Sequence, residues 1–271
     1  MINWMKYRWL YLLISGILII SGAFSMIKWG FNIGIDFTGG SLLEYRLPDG
    51  TVKTVKSGVI DQSKREEIKS NLEKEVGGEV VEIKFENVGP TVGPEMVKKT
   101  FYALIISASA ILLWIAYQFK NIKFGISATL ATIHDSLIVI GSFSLLGHFF
   151  GAEIDFLFVT AVLTILSFSV HDTIVVFDRI REMRKGGFGE LSEYADIAIT
   201  ETMTRSINNS FTIIFMLLAL ILLGGDSIKW FSVALLIGTV IGTYSSPFVA
   251  VSLLVTWDEI SKKIRTSKST K

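Results

Sequence analysis

Residues 156–177 read FLFVTAVLTILSFSVHDTIVVF, a run without Lys, Arg, Glu, Gly or Pro and with a single carboxylate, Asp172. It is too long for a strand and long enough for a helix to cross the ~30 Å of bilayer hydrocarbon. Lipid offers no partner for backbone N–H and C=O groups, so such a run has to be helical. Residues 9–27, 101–119, 124–146, 207–223 and 231–255 meet the same test. The first follows Lys6 and Arg8 as a signal peptide would, but it outruns the ~7–15 residues of an apolar signal core and is expected to be a retained span. The expectation is an α-helical membrane protein that crosses the bilayer six times.

Composition agrees. Half of the 271 residues are hydrophobic and 19% are charged, with a mean hydropathy of +0.52, a balance foreign to soluble domains. A net charge of +1 gives no reason to expect nucleic acid. The absence of cysteine excludes thiolate metal sites, catalytic thiols and disulfides. What matters is where Lys and Arg fall. Lys6 and Arg8 precede span one, Lys120 and Lys123 join spans two and three, the segment from Arg179 to Arg205 joins four and five, and a basic tail from Lys262 to Lys271 follows span six. The alternate loops are poor in such residues: 147–155 has none and 224–230 has Lys229 alone. The positive-inside rule then puts both termini and the loop 178–205 in the cytoplasm and residues 30–98 outside. The plan is residues 1–29 as N-terminus and first span, 30–98 as an outer domain, 99–258 as spans two to six, and 259–271 as a cytoplasmic tail.

The outer segment has its own periodicity. In 41–47, Leu43, Tyr45 and Leu47 alternate with Glu44 and Arg46, and Pro48-Asp49-Gly50 turns the chain into a second strand near 52–55. Ser63 and Glu66 fit a capping box, and Ile68, Leu72 and Val76 recur at helical spacing until Gly77-Gly78. Val81, Ile83 and Phe85 read as a third strand. Strand, strand, helix, strand predicts a small α+β domain. On the inner side, two short helices are expected around Gly186-Gly187. The second carries Leu191, Tyr194, Ile197 and Ala198 on one face, packed along the base of the bundle or else solvated. In span six, Gly238 and Gly242 predict close helix packing, and Pro247 after Ser245-Ser246 a mild kink.

Four ionisable residues interrupt the spans: His134 and Asp135 in span three, His171 and Asp172 in span four. A carboxylate at the bilayer centre costs about 2.5–3.5 kcal/mol on insertion scales, so such groups face the bundle interior and mark ion paths. Asp172 lies near the inner end of its span and Arg205 where span five begins, which makes an ion pair or water-bridged contact reasonable; the alternative is a buried pair that only docks helices. For Asp135 the position favours a helix-packing hydrogen bond. His148 in an outer loop carries no site expectation. Enzyme readings fail on spacing: no Gly-x-Gly-Asp, no His-Glu-x-x-His, no Walker loop and no further metal ligands accompany the His-Asp dipeptides. No cofactor is expected.

Gly34-Ile35-Asp36-Phe37-Thr38-Gly39-Gly40, Val88-Gly89-Pro90-Thr91-Val92-Gly93, His171-Asp172-Thr173-Ile174-Val175-Val176-Phe177-Asp178-Arg179-Ile180-Arg181-Glu182 and Thr204-Arg205-Ser206-Ile207-Asn208-Asn209-Ser210 resemble the SecF family over nearly the whole chain. The resemblance implies an RND-type bundle of six spans in the bacterial cytoplasmic membrane with a ferredoxin-like extracytoplasmic domain. It implies SecD as partner, work beside SecYEG with SecA and YajC on a translocating polypeptide, and use of a proton or sodium gradient. By the same resemblance the ion-coupling acid falls on Asp172 and its basic partner on Arg205, with Asp135 in a weaker role. Gly34, Asp36, Gly39, Gly40, His171, Asp178 and Arg179 carry the family motifs. A stand-alone RND-like exporter of small molecules and a purely structural assembly subunit are the competing readings.

Overall fold

The computed structural model describes residues 2–89, 92–186 and 189–269. Pro90 and Thr91 of the second motif, Gly187 of the inner loop and the end of the basic tail lie outside the described residues. The chain divides into two compact units, Met1–Asn32, Leu104–Glu153 and Leu157–Lys271 in one, Ile33–Ala103 with Ile154–Phe156 in the other.

The first unit is helical. A 3-10 turn, Trp4–Tyr7, leads into α1 (Arg8–Trp29). Further along the chain come α4 (Val92–Phe119), whose residues 92–103 belong to the second unit, α5 (Ile122–Phe150), α6 (Phe156–Gly186), α7 (Leu191–Leu223), α8 (Asp226–Ser245), a π-helical turn Ser246–Ala250 and α9 (Val251–Ser269). Among the described residues, six helices are long and apolar enough to cross a membrane by length and composition. Two of them extend further than expected. The inner loop does not fold as two separate short helices: α6 continues to Gly186 and α7 starts at Leu191. Charge ends a lipid-compatible run without ending a helix, since Arg179 and Glu182 pair within α6 at 2.8 Å. Of the expected stripe, Leu191 and Ala198 are buried in one cluster with Phe177, Ile180, Val251 and Leu254, where Ala195 and Ile199 join them, while Ile197 is only half-buried. Tyr194 packs against that cluster.

Close helix crossings rest on glycine. A Cβ on Gly141 of α5 would stand 2.6 Å from the Cα of Gly22 on α1, so nothing larger fits that crossing. Gly238 and Gly242 of α8 meet Ile165 and Ser169 of α6. Pro247 lies in the π turn between α8 and α9. A proline ring lacks the N–H of one helical hydrogen bond and collides with the carbonyl four residues back, and widening the turn relieves the collision.

Charged residues tie one end of this bundle together. Arg8 grips Glu259 through two bonds of 2.6 and 2.7 Å. Lys123 reaches Asp258 at 3.1 Å, Lys262 reaches Glu190 at 2.9 Å, and Arg181 donates to the Gln118 carbonyl at 2.8 Å. The Met5 N–H donates to Asp196 at 2.8 Å and Trp4 Nε1 to Thr200 at 2.9 Å.

The second unit holds α2 (Ile35–Thr38), β1 (Gly40–Arg46), β2 (Val52–Ser57), α3 (Gln62–Val76) and β3 (Val81–Val88). The three strands form an antiparallel sheet in the order β2-β1-β3. Leu43 and Tyr45 are fully buried and pack with Ile60, Leu72 and Val80. The third strand departs from simple alternation. Its register shifts between Glu44 and Tyr45, so Phe85 sits opposite Leu43 while Glu82, not Val81 or Ile83, sits opposite Tyr45. Val81 and Ile83 are exposed. Arg65 of α3 binds Glu82, with Nε to Oε2 at 2.8 Å, and lies 4.4 Å from the Phe85 ring centre, closing the core above the bulge. The cap of α3 also differs: Asp61 is the N-cap, accepting the Lys64 N–H at 3.0 Å, and Ser63 lies inside the helix with its hydroxyl donating to Asp61 at 2.9 Å. The Ser63/Glu66 spacing matched the box pattern, but a carboxylate two residues earlier is the stronger acceptor.

Candidate functional site

Within the bundle, polar side chains from α5, α6, α7, α8 and the π turn converge. Asp135 on α5 is fully buried. Its Oδ2 accepts Ser169 of α6 at 2.5 Å and Ser245 of α8 at 2.7 Å, and its Oδ1 pairs with His134 Nδ1 at 2.8 Å. The opposite nitrogen of that ring, His134 Nε2, is buried without a hydrogen-bond partner among the described residues. One turn along α6, Thr173 pairs with Ser246 at 3.0 Å, and Ser246 reaches back to the Ser169 carbonyl at 3.1 Å. Ser210 of α7 and Thr243 of α8 pair at 2.5 Å.

Asp172 stands on α6 in the same stretch and is buried. The group that reaches it is the hydroxyl of Ser206 on α7. Among the described residues Asp172 and Arg205 form no direct ion pair. Consecutive helical residues point about 100° apart, so Ser206 faces α6 while Arg205 takes the exposed flank. There Arg205 lines a cavity of about 250 Å³ with Val175, Asp178, Arg179, Glu182 and Thr202. Arg179 crosses to Glu201 of α7 at 2.5 Å and also holds Glu182. His171, beside Asp172 in sequence, is exposed.

The glycine-rich motif belongs to the second unit. Gly34 N–H donates to the Ile154 carbonyl at 2.9 Å, and Asp36 Oδ2 accepts the Phe156 N–H at 2.8 Å. Gly40 has φ +118°, and a Cβ there would lie 2.6 Å from the Ser57 carbonyl oxygen, so the strand can start only with glycine. Gly39 before it has φ +74°. These residues build a strand start and a loop clasp, away from the buried carboxylates along the chain. Sequence reasoning found both aspartates but missed Ser169, Ser206, Ser245 and Ser246. A hydroxyl in a span usually bonds its own helix four residues back, as Thr173 does to the Ser169 carbonyl at 3.0 Å, and so gives no signal.

Six membrane-competent helices around interior carboxylates and hydroxyls define a multi-pass membrane protein of the helical-bundle class. The family model described as protein export membrane protein SecD/SecF, C-terminal, matches residues 68–260, and the chain belongs to that family. It is 38% identical to the protein translocase subunit SecF of Thermobaculum terrenum, with 95% of this chain and 94% of that one covered. Against the SecF of Synechocystis it is 33% identical, covering 94% of this chain and 93% of the relative. The crystal structure of SecDF from Thermus thermophilus, a translocon-associated membrane protein, superposes with a TM-score of 0.86 at 29% identity over 95% of this chain. The chain spans 39% of that solved chain.

Proposed function

We infer that this chain is an accessory subunit of protein export, working with a SecD-type partner beside the SecYEG channel, with SecA and YajC, in the bacterial cytoplasmic membrane. In this reading both termini and residues 178–205 are cytoplasmic, residues 30–98 lie outside, and the three-stranded unit is a ferredoxin-like outer domain. A proton or sodium gradient drives the cycle. The observation that carries the reading is a buried carboxylate, Asp172, that touches the neighbouring helix through one hydroxyl, Ser206. One charge crossing 100 mV supplies about 2.3 kcal/mol, enough to bias a two-state rearrangement of helices. An acid bound by a single exchangeable hydrogen bond can take and release a proton with a small change of partners, and Arg205 on the same turn of α7 stands ready as its cation when the helices shift. Asp135, with its donors from α6, α8 and its own helix, is assigned to docking, with the weaker part in ion transfer. His171, Asp178 and Arg179 serve the cytoplasmic approach to Asp172, and Gly34, Asp36, Gly39 and Gly40 shape the outer unit. No step of this reading is catalytic.

The test is export into energised inverted vesicles that contain the partner subunits, with and without an uncoupler. Asp172→Asn keeps the shape and accepts the Ser206 hydroxyl but cannot ionise. It is expected to insert and pair normally and to lose gradient-dependent stimulation. Full uncoupler-sensitive stimulation in Asp172→Asn makes Asp172 a docking residue and returns the chain to the purely structural reading. A small-molecule exporter would instead show no dependence on a SecD partner.

A further inference from the structure

Two buried polar atoms of the bundle have no hydrogen-bond partner among the described residues and belong to neighbouring helices, Ser15 Oγ on α1 and His134 Nε2 on α5. Their residues are 4% and 6% exposed. The pairing of the two helices sets them side by side. Ser25 bonds Ser144 at 2.8 Å, Asn32 donates to the Gly151 carbonyl at 3.3 Å and Gly22 meets Gly141, three contacts that share one offset of 119 positions. A constant offset means that α1 and α5 run parallel in a single register. Ser15 lies seven residues before Gly22 and His134 seven before Gly141, two turns along each helix and on nearly the same face as the glycine. The register therefore brings Ser15 opposite His134. α8 reaches the same place. Tyr244 comes close to Ser15, and its hydroxyl donates to the Tyr11 carbonyl at 2.8 Å, one turn before Ser15 on α1. The next residue, Ser245, donates to the carboxylate of Asp135, whose other oxygen pairs with His134 Nδ1. A serine in a span commonly donates to the carbonyl four residues back. For Ser15 that is the Tyr11 carbonyl, which Tyr244 already occupies. Polar atoms from three helices thus face one point: the Ser15 hydroxyl, the Tyr244 oxygen with its proton engaged elsewhere, and His134 Nε2.

We propose that this point is a binding site for a single water molecule. A buried water usually makes about three hydrogen bonds, and a molecule that both donates and accepts can serve an imidazole nitrogen, a hydroxyl and a phenol oxygen at once. The site is a closed one between α1, α5 and α8, not a channel. Its water gives His134 a second partner and so holds the ring with Nδ1 on Asp135, much as an outer hydrogen bond orients a histidine in other buried networks. It also carries the Asp135 cluster, otherwise built by α5, α6 and α8, across to α1. Ser15 and Tyr244 are positioning residues in this arrangement, acting on Asp135 through the water and His134. The site is independent of Asp172 and of the ion-coupling reading.

The chain has 3 histidines, so their ring nitrogens can be followed one by one. The full chain, labelled with [15N]histidine and reconstituted with its partner in bilayers, is read by magic-angle-spinning NMR with magnetisation transferred from water. The signals lost in His134→Gln assign that ring, and the exposed His148 and His171 give the solvent reference. Transfer from water to His134 Nε2 is expected in spite of its burial. Ser15→Ala is expected to cut that transfer several-fold and to move the Nε2 resonance more than the Nδ1 resonance, whereas Ser15→Thr, which keeps a hydroxyl, retains both. Tyr244→Phe is expected to weaken the transfer as well. No transfer to His134 in the parent chain overturns the site. Transfer that is indifferent to both Ser15→Ala and Tyr244→Phe overturns its placement between α1, α5 and α8. If Ser15→Ala does not assemble, the parent chain and Tyr244→Phe decide the matter. None of these readings involves export, so they fail or hold separately from the test of Asp172.

Discussion

Asp135 is engaged by two serines and a histidine, whereas Asp172 is held by a single serine. That difference sets what each change should cost. Asp135→Asn keeps an oxygen for Ser169 and Ser245 and is expected to hold the melting temperature in detergent within a few degrees of the parent. Asp135→Leu strands these donors, at about 1–3 kcal/mol for each one left unsatisfied. Ser245 already lies 3.3 Å from the Gly242 carbonyl and can turn to it, so the loss falls mainly on Ser169 and His134. A fluorimetric melt in which Asp135→Leu is as stable as Asp135→Asn would remove the docking role. At this scale the ionisable members were legible, because any charge in an apolar run stands out, and the hydroxyls around them were not. Asp61 makes the same point outside the membrane. Accepting the Lys64 N–H and the Ser63 hydroxyl holds its carboxyl below the ordinary range. A folded-state value below the unfolded ~3.9 means that its support for α3 is complete above that pH and is lost as pH falls through the folded value. Hydrogen exchange at the Lys64 amide at neutral pH is expected to quicken in Asp61→Ala and much less in Ser63→Ala. An equal effect of the two would restore the capping box.

Elements were read correctly where lipid or alternation dictated them and misjudged where a second constraint took over. The spans announced themselves by length and hydropathy, yet α6 and α7 outlast the apolar runs because intrahelical and cross-helix ion pairs carry them on past Phe177 and begin them before Ile207. β3 was found by its apolar residues, but the register shift turns Val81 and Ile83 outward and brings Glu82 in, a choice governed by pairing across the sheet and invisible along one strand. The Gly238/Gly242 pair was recognised by its four-residue spacing. The Gly22–Gly141 crossing was missed because each helix contributes one glycine and the match exists only in three dimensions. It gives a direct test: Gly141→Ala adds a methyl 2.6 Å from backbone and is expected to cost about 1–3 kcal/mol, as overpacking does. Gly16→Ala on α1 meets nothing within 4 Å and should be neutral or mildly stabilising. Equal melting temperatures for the two variants would show that α1 and α5 do not cross as closely as described.

For the whole molecule, the distribution of Lys and Arg predicted sidedness, and the helical unit supplies an independent consistency check. Were the loops assigned to the cytoplasm on opposite faces, their charges could not meet. Instead, Arg8 near the N-terminus binds Glu259 of α9, Lys123 after the α4–α5 turn binds Asp258, and Glu190 at the start of α7 binds Lys262. Segments far apart in the chain thus share one end of the bundle, as an even number of spans with both termini on one side requires. In the proposed reading that end is cytoplasmic, because translocation of Lys- and Arg-rich short loops is disfavoured. Cysteines at Lys120 and Lys185, both exposed, are expected to be labelled by a membrane-impermeant maleimide in inverted vesicles and protected in intact spheroplasts. Cysteines at Glu67 and Ser227, also exposed, should show the reverse. The inside pair and the outside pair must move together, since one misplaced span would put Lys120 and Lys185 on opposite faces. Labelling of Lys185→Cys in spheroplasts would invert the proposed orientation.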